Sequence, residues 1–120
     1  MLAIDSQPSR TLAAKHHAMS NDVVNKIDFL TVDFLKIKNL HGDIVFLDPS
    51  DIRKDPAKEI YSVFNHAEPD LPSLISKALG MSYQIALKLP HDIDVTELPE
   101  LFHTTLEKYG LYLILKMTKF

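Results

Sequence analysis

Short apolar runs alternate along this chain with stretches in which apolar residues recur every three or four positions. The first kind reads as strand and the second as helix, and their alternation predicts an α/β layer fold with a mainly parallel sheet. MLAID is the first predicted strand, and SQPSRTLAAKHHAMS follows as a helix. In that helix Ser6 is the expected cap, Pro8 lies near the first turn, and Leu12, Ala13 and Met19 are expected toward the sheet. KIDFLTVDFL is the second strand, and DIVFL is the third, apolar on both faces as in a central parallel strand. DPAKEIYSVFNHA and DLPSLISKALG then read as helices, the first opened by Asp55-Pro56 and the second stopped by Gly80. YQIALKL is the fourth strand, DVTELPELFHTTLEKYG a helix, and LYLILKM the fifth strand.

Composition narrows the possibilities. At 120 residues the chain is expected to form a single domain, residues 1–120, with a modest core. Sixteen acidic against 13 basic side chains give a net charge of −3, so any nucleic-acid contact must use a local patch. With no cysteine there is neither a disulfide framework nor a thiolate ligand or nucleophile. No apolar run reaches the roughly 20 residues needed to cross a bilayer, and the N-terminus lacks a signal-peptide layout, so an intracellular, soluble protein is expected.

In open α/β sheets, ligands bind beyond the carboxyl ends of the strands. That rule selects Asp5 to Gln7, Asp33 to Leu35, Asp48 to Asp51 and Lys88 to His91, three of which begin with an acid. An aspartate there can accept hydrogen bonds from ribose hydroxyls or an amine. It can equally cap the next helix or turn, and for each acid taken alone both readings stay open.

The ordered set from MLAID through KIDFLTVDFLKI to DIVFLDPS resembles class I S-adenosylmethionine-dependent methyltransferases, specifically the trimethylguanosine synthase family and its prokaryotic relatives. The resemblance implies a Rossmann-like, mainly parallel methyltransferase sheet that lacks the first strand. The family's glycine-rich cofactor turn would precede Met1, and Gly42, Gly80 and Gly110 are the only glycines. It implies S-adenosylmethionine as cofactor and an exocyclic amine of guanine in RNA as the methyl acceptor. Asp5, with Ser6 beside it, matches the acid on the cofactor ribose, and Asp33 with Phe34 matches the pair beside the adenine. Asp48 and Pro49 match the start of the catalytic turn, whose acceptors grip the amine, and Asp48-Pro49-Ser50 with Arg53 resembles the form of that turn in prokaryotic relatives. Ser50 with Arg53 stands where many relatives have a second proline and an aromatic ring, and there is no tryptophan to stack on a cap guanine.

A noncatalytic remnant that serves as a binding or assembly module is the alternative. The edge that a missing first strand would leave open invites a homo-oligomer or a second chain. A nucleotide-binding domain of another class is disfavoured by the lack of phosphate-binding glycines. Lys36, Lys38, Arg53, Lys54 and Lys58 are candidates for a basic rim toward RNA phosphates, or simply a solvated face. Tyr61, Phe64 and Tyr83 are candidate stacking rings or core residues. The six histidines show no ligand spacing, and Ser50 and Ser62 have no recognisable His-Asp partners.

Overall fold

The structure, a computed structural model, describes residues 1–105 and divides the chain into two compact units, Met1–Leu40 and His41 onward. The last predicted strand, LYLILKM, and the end of the helix before it lie outside the described residues.

The first unit is a β-α-β crossover. Strand β1 (Leu2–Asp5) pairs in parallel with β2 (Asp28–Thr31), in the register Leu2 opposite Asp28 to Asp5 opposite Thr31. Parallel neighbours need a long connection, and helix α1 (Pro8–Ser20) supplies it. Proline at the first helical position is preorganised for the helix, but the cap is Gln7 and not Ser6. In place of a capping side chain at Gln7, Asp5 Oδ1 accepts the Gln7 amide at 2.9 Å and shapes the entry. The helix ends in a Schellman motif: Val23 N donates to Ala18 O and Asp22 N to Met19 O. Asp22 takes the left-handed position with φ 56°, which Asp tolerates better than branched residues. Ala18 is the buried residue of α1, whereas Leu12, Ala13 and Met19 are exposed, contrary to the expected helix face. Strand β2 is shorter than KIDFLTVDFL suggested, because single 3₁₀ turns at Val24–Lys26 and Phe34–Lys36 flank it.

The second unit has its own parallel pair. Strand β3 (Val45–Leu47) lies beside β6 (Ile85–Leu87), with Phe46 opposite Ala86 and the ladder continued by Lys88 N to Leu47 O at 2.9 Å. Between them run a short antiparallel pair, β4 (Ser50–Asp51) with β5 (Ala67–Glu68), and helix α2 (Leu71–Leu79). Asp70 caps α2 by accepting the Ser73 amide at 2.9 Å. Leu71, Leu74, Ile75, Ala78 and Leu79 follow the i, i+3, i+4 rule and are all buried. Full burial of each large aliphatic side chain contributes about 1.5–3 kcal/mol. They share a core with Leu47, Tyr61, Val63, Ala67, Met81, Leu98 and Leu101, the last two on α3 (Leu98–Thr105).

Two expectations fail here. DPAKEIYSVFNHA is not a helix beyond one turn closed on the Asp55 carbonyl. The backbone of Tyr61 is instead spent on another segment: its N–H donates to Asp92 O and its carbonyl accepts from Asp94 N at 2.8 Å. A residue paired sideways in this way is lost to the helical ladder. Nor is β3 covered on both faces, since among the described residues Ile44 and Phe46 are 63% and 65% exposed. The described chain is thus a mixed helix and strand protein with small, mostly parallel sheets. No helix among the described residues is long and apolar enough to cross a membrane.

Candidate functional site

Each parallel pair brings charged side chains to its carboxyl edge, two acids in the first unit and an acid beside a lysine in the second. In the first unit β1 ends at Asp5 and β2 runs out toward Asp33, so Asp5, Ser6, Asp33 and Phe34 share one edge. Both carboxylates turn onto local backbone, Asp5 Oδ1 to Gln7 N and Asp33 Oδ1 to Leu35 N, each at 2.9 Å. Both acids therefore act as turn and cap groups. Beside them Thr31 Oγ1 donates to Thr11 Oγ1 at 3.0 Å and ties β2 to α1.

A carboxylate carries about four lone-pair sites, so one amide does not exhaust it. The edge therefore retains acceptors of the kind that ribose hydroxyls and an adenine amine require. An adenosine such as that of S-adenosylmethionine could be held here, by Asp5 at the ribose and by Asp33 and Phe34 at the base. No residue of this set offers a counter-charge to the methionine half.

The edge of the second unit behaves differently. Asp48 follows directly on β3 and Lys88 directly on β6, and their side chains face each other with Lys88 Nζ 4.0 Å from Asp48 Oδ2. Both are solvent-exposed, while Pro49 and Ser50 are half-buried as the chain enters β4.

Behind this edge lies a polar network for which Arg53 is the hub. Its Nε and Nη2 form a fork on the Asp51 carboxylate, at 3.0 and 2.7 Å to Oδ2, and its Nη1 donates to Glu59 O at 2.8 Å and to Asp92 Oδ2. The guanidinium carbon sits 5.4 Å from the centroid of the Tyr61 ring, a cation-π distance. With its side chain only 5% exposed, Arg53 is no part of a basic rim. Lys54 and Lys58 remain at the surface, Lys58 near Asp55.

A second cluster adjoins it. Glu97 accepts from Ser62 Oγ and Val63 N, both at 2.8 Å, and His66 Nδ1 accepts from Ser62 N at 2.8 Å. This is not a nucleophilic triad, because the Ser62 hydroxyl serves Glu97 and the imidazole serves a backbone amide. Tyr61 is fully buried and cannot stack a base; burial, then the nearby Asp51 charge, pushes its phenol pKa up. Tyr83 is exposed but lies at the amino end of β6, away from the Asp48 edge.

Asp92 and Glu97 were not singled out by the sequence. Asp94-x-x-Glu97 has the form of a capping box, which would return Glu97 to the Asp94 amide. That amide is taken by Tyr61 O, so Glu97 is available to clamp Ser62 and Val63. Only the fold could reveal this.

The hydrogen bonds from Arg53 hold Asp51 and Asp92 below the usual carboxylate range, against a smaller opposing effect of burial, and the Ser73 amide does the same for Asp70. A lowered folded pKa stabilises fully above the unfolded value of about 3.9 and is lost as pH falls through the folded value. Urea midpoints should therefore hold from about pH 7 to about pH 5 and fall as pH drops further, below about pH 4. Asp51→Asn should show a smaller drop than wild type, and an equal drop would refute the assignment.

No family model matches the sequence, and no curated protein matches it at a significant level.

Proposed function

We propose that the chain is a class I S-adenosylmethionine-dependent methyltransferase domain of Rossmann-like descent that methylates an exocyclic amine of guanine in RNA. The observation that carries this reading is Asp48, an exposed acceptor placed directly beyond the carboxyl end of a parallel strand and followed by Pro49. Asp5, Ser6, Asp33 and Phe34 are the residues that would hold the adenosine part of the cofactor. S-adenosylmethionine, when bound, supplies a methyl group on a positively charged sulfur. Asp48 accepts an N–H of the amine, orients its nitrogen, and offers an oxygen to the proton that the amine sheds. The Pro49 carbonyl is a second acceptor for the same amine. Positioning supplies most of the acceleration, since a well-oriented pair of reactants saves much of the entropy of encounter.

The cofactor assignment is tested by calorimetric titration with S-adenosylhomocysteine. Wild type should bind, and Asp5→Ala should lose binding together with about 1 kcal/mol of stability, because its oxygen also serves the entry to α1. Loss of stability with binding retained would remove Asp5 from the ribose site.

The second reading, a noncatalytic binding or assembly module, is favoured by the engagement of Asp5 and Asp33 with local amides and by the cation opposite Asp48. Wild type that fails to bind S-adenosylhomocysteine at all selects this reading. The partner would then be another chain at an open strand edge and not RNA.

A further inference from the structure

We infer that Arg53 is the positioning residue of the Asp48 turn: a clamp that fixes the carboxylate by joining the turns beyond β3 and β6. The inference rests on the role proposed for Asp48.

The turn from Asp48 to Asp51 is anchored at both ends. At the front, Leu47 O accepts the Lys88 amide, which locks the end of β3 to β6. At the back, Asp51 pairs with Ala67 in β4–β5 and its carboxylate is held in the fork of Arg53. The same guanidinium reaches Asp92, in the turn beyond β6, and the Glu59 carbonyl just before Tyr61. Every side-chain nitrogen of Arg53 is engaged, on Asp51 and Glu59 close by in sequence and on Asp92, 39 positions away. The Tyr61 ring lies against the guanidinium and packs it from one side.

This arrangement depends on shape as much as on charge. A planar guanidinium presents its donors in a rigid fork, so fixing Asp51 also fixes the direction of the bond to Asp92. An ammonium donates from a single point and cannot hold the carboxylate bidentately while also reaching Asp92 and the Glu59 carbonyl. Asp48 lies only three residues before Asp51, so the anchoring of Asp51 in β4–β5 and in the guanidinium fork limits the backbone paths from which the Asp48 carboxylate projects. That limit matters only if Asp48 must meet a reacting amine in one orientation. Burial separates this role from phosphate binding, since the guanidinium has little surface to offer a ligand.

Arg53→Lys and Asp92→Asn test it, with two readouts on the intact chain. The first is hydrogen exchange at the amides of Ile52 and Tyr61, which donate to His66 O and Asp92 O. Exchange there should accelerate about tenfold or more in Arg53→Lys, as expected when charge-assisted bonds that close a local opening are lost. The second is methyl transfer from S-adenosylmethionine to a guanine-containing oligoribonucleotide. Arg53→Lys should lower kcat by about 100-fold, the scale of an ångström-level misplacement, with KM for S-adenosylmethionine unchanged within about twofold. Asp92→Asn, which leaves the fork on Asp51 intact, should lower kcat less and decides the matter should Arg53→Lys fail to fold. Unaltered exchange in Arg53→Lys, or unaltered kcat in folded Asp92→Asn, overturns the clamp. Wild type that transfers no methyl group refutes the function proposed for Asp48, whereas the clamp itself then stands or falls on exchange.

Discussion

Glu97→Ala should destabilise the second unit by about 3 kcal/mol, because it strands two buried donors at once. Ser62 Oγ and Val63 N both donate to the Glu97 carboxylate at 2.8 Å, and both residues are buried, Val63 completely. A hydrogen bond to a charged acceptor contributes about 1.5–3 kcal/mol, and a donor left unpaired away from water costs about 1–3 kcal/mol. Ser62 can turn its hydroxyl elsewhere, but the Val63 amide has no such freedom. The damage should spread through the 62–66 turn, where Asn65 N and Nδ2 lean on Ser62 Oγ and His66 N on Ser62 O. Glu97→Gln retains an acceptor oxygen for one donor and should lose about half as much. Chemical denaturation of the two variants gives the comparison. A Glu97→Ala midpoint indistinguishable from wild type would show that water replaces the carboxylate.

Asp48→Ala should abolish methyl transfer while leaving the melting temperature almost unchanged. Its carboxylate is exposed and its Lys88 partner is 4.0 Å away, so the pair contributes about 0–1 kcal/mol after solvent screening. Loss of an orienting acceptor falls on kcat, with KM for the cofactor unaffected, because in the proposed function Asp48 meets only the amine. Removing one positioned proton acceptor costs about 100-fold to 10,000-fold in rate. The assay uses guanine-containing RNA and S-adenosylmethionine, with adenine-only RNA as control. Equal turnover by Asp48→Ala would reduce Asp48-Pro49 to a turn. Lys88→Ala addresses the same edge from the other side, since it frees the carboxylate without removing it.

These two residues differ in how visible they were. Asp48 stands where an apolar run meets a proline, and a strand end is a local feature of sequence. Glu97 stands inside a segment whose local pattern suggested a different partner, and its true contacts come from residues 34 and 35 positions away.

What the sequence determined by itself is the set of elements whose causes lie within them. The β1–α1–β2 alternation with its Pro8 start, helix α2 with Asp70 and Gly80 at its ends, and the apolar run of β6 all follow from signals within a few residues, whereas the cap and the buried face of α1 did not. The acids at the carboxyl ends of β1, β2 and β3 follow as well, since strand ends are local features of sequence. Tertiary structure decided the rest. Residues 55–67 have a helical pattern, yet they run as turns because Tyr61 takes its backbone partners from Asp92 and Asp94. Arg53 reads as a surface charge, yet Asp51, Asp92 and the Glu59 carbonyl draw it inside. In both cases a deciding partner, Asp92 for each and Asp94 for Tyr61, lies more than 30 positions away, and a buried polar group goes wherever its hydrogen bonds can be satisfied.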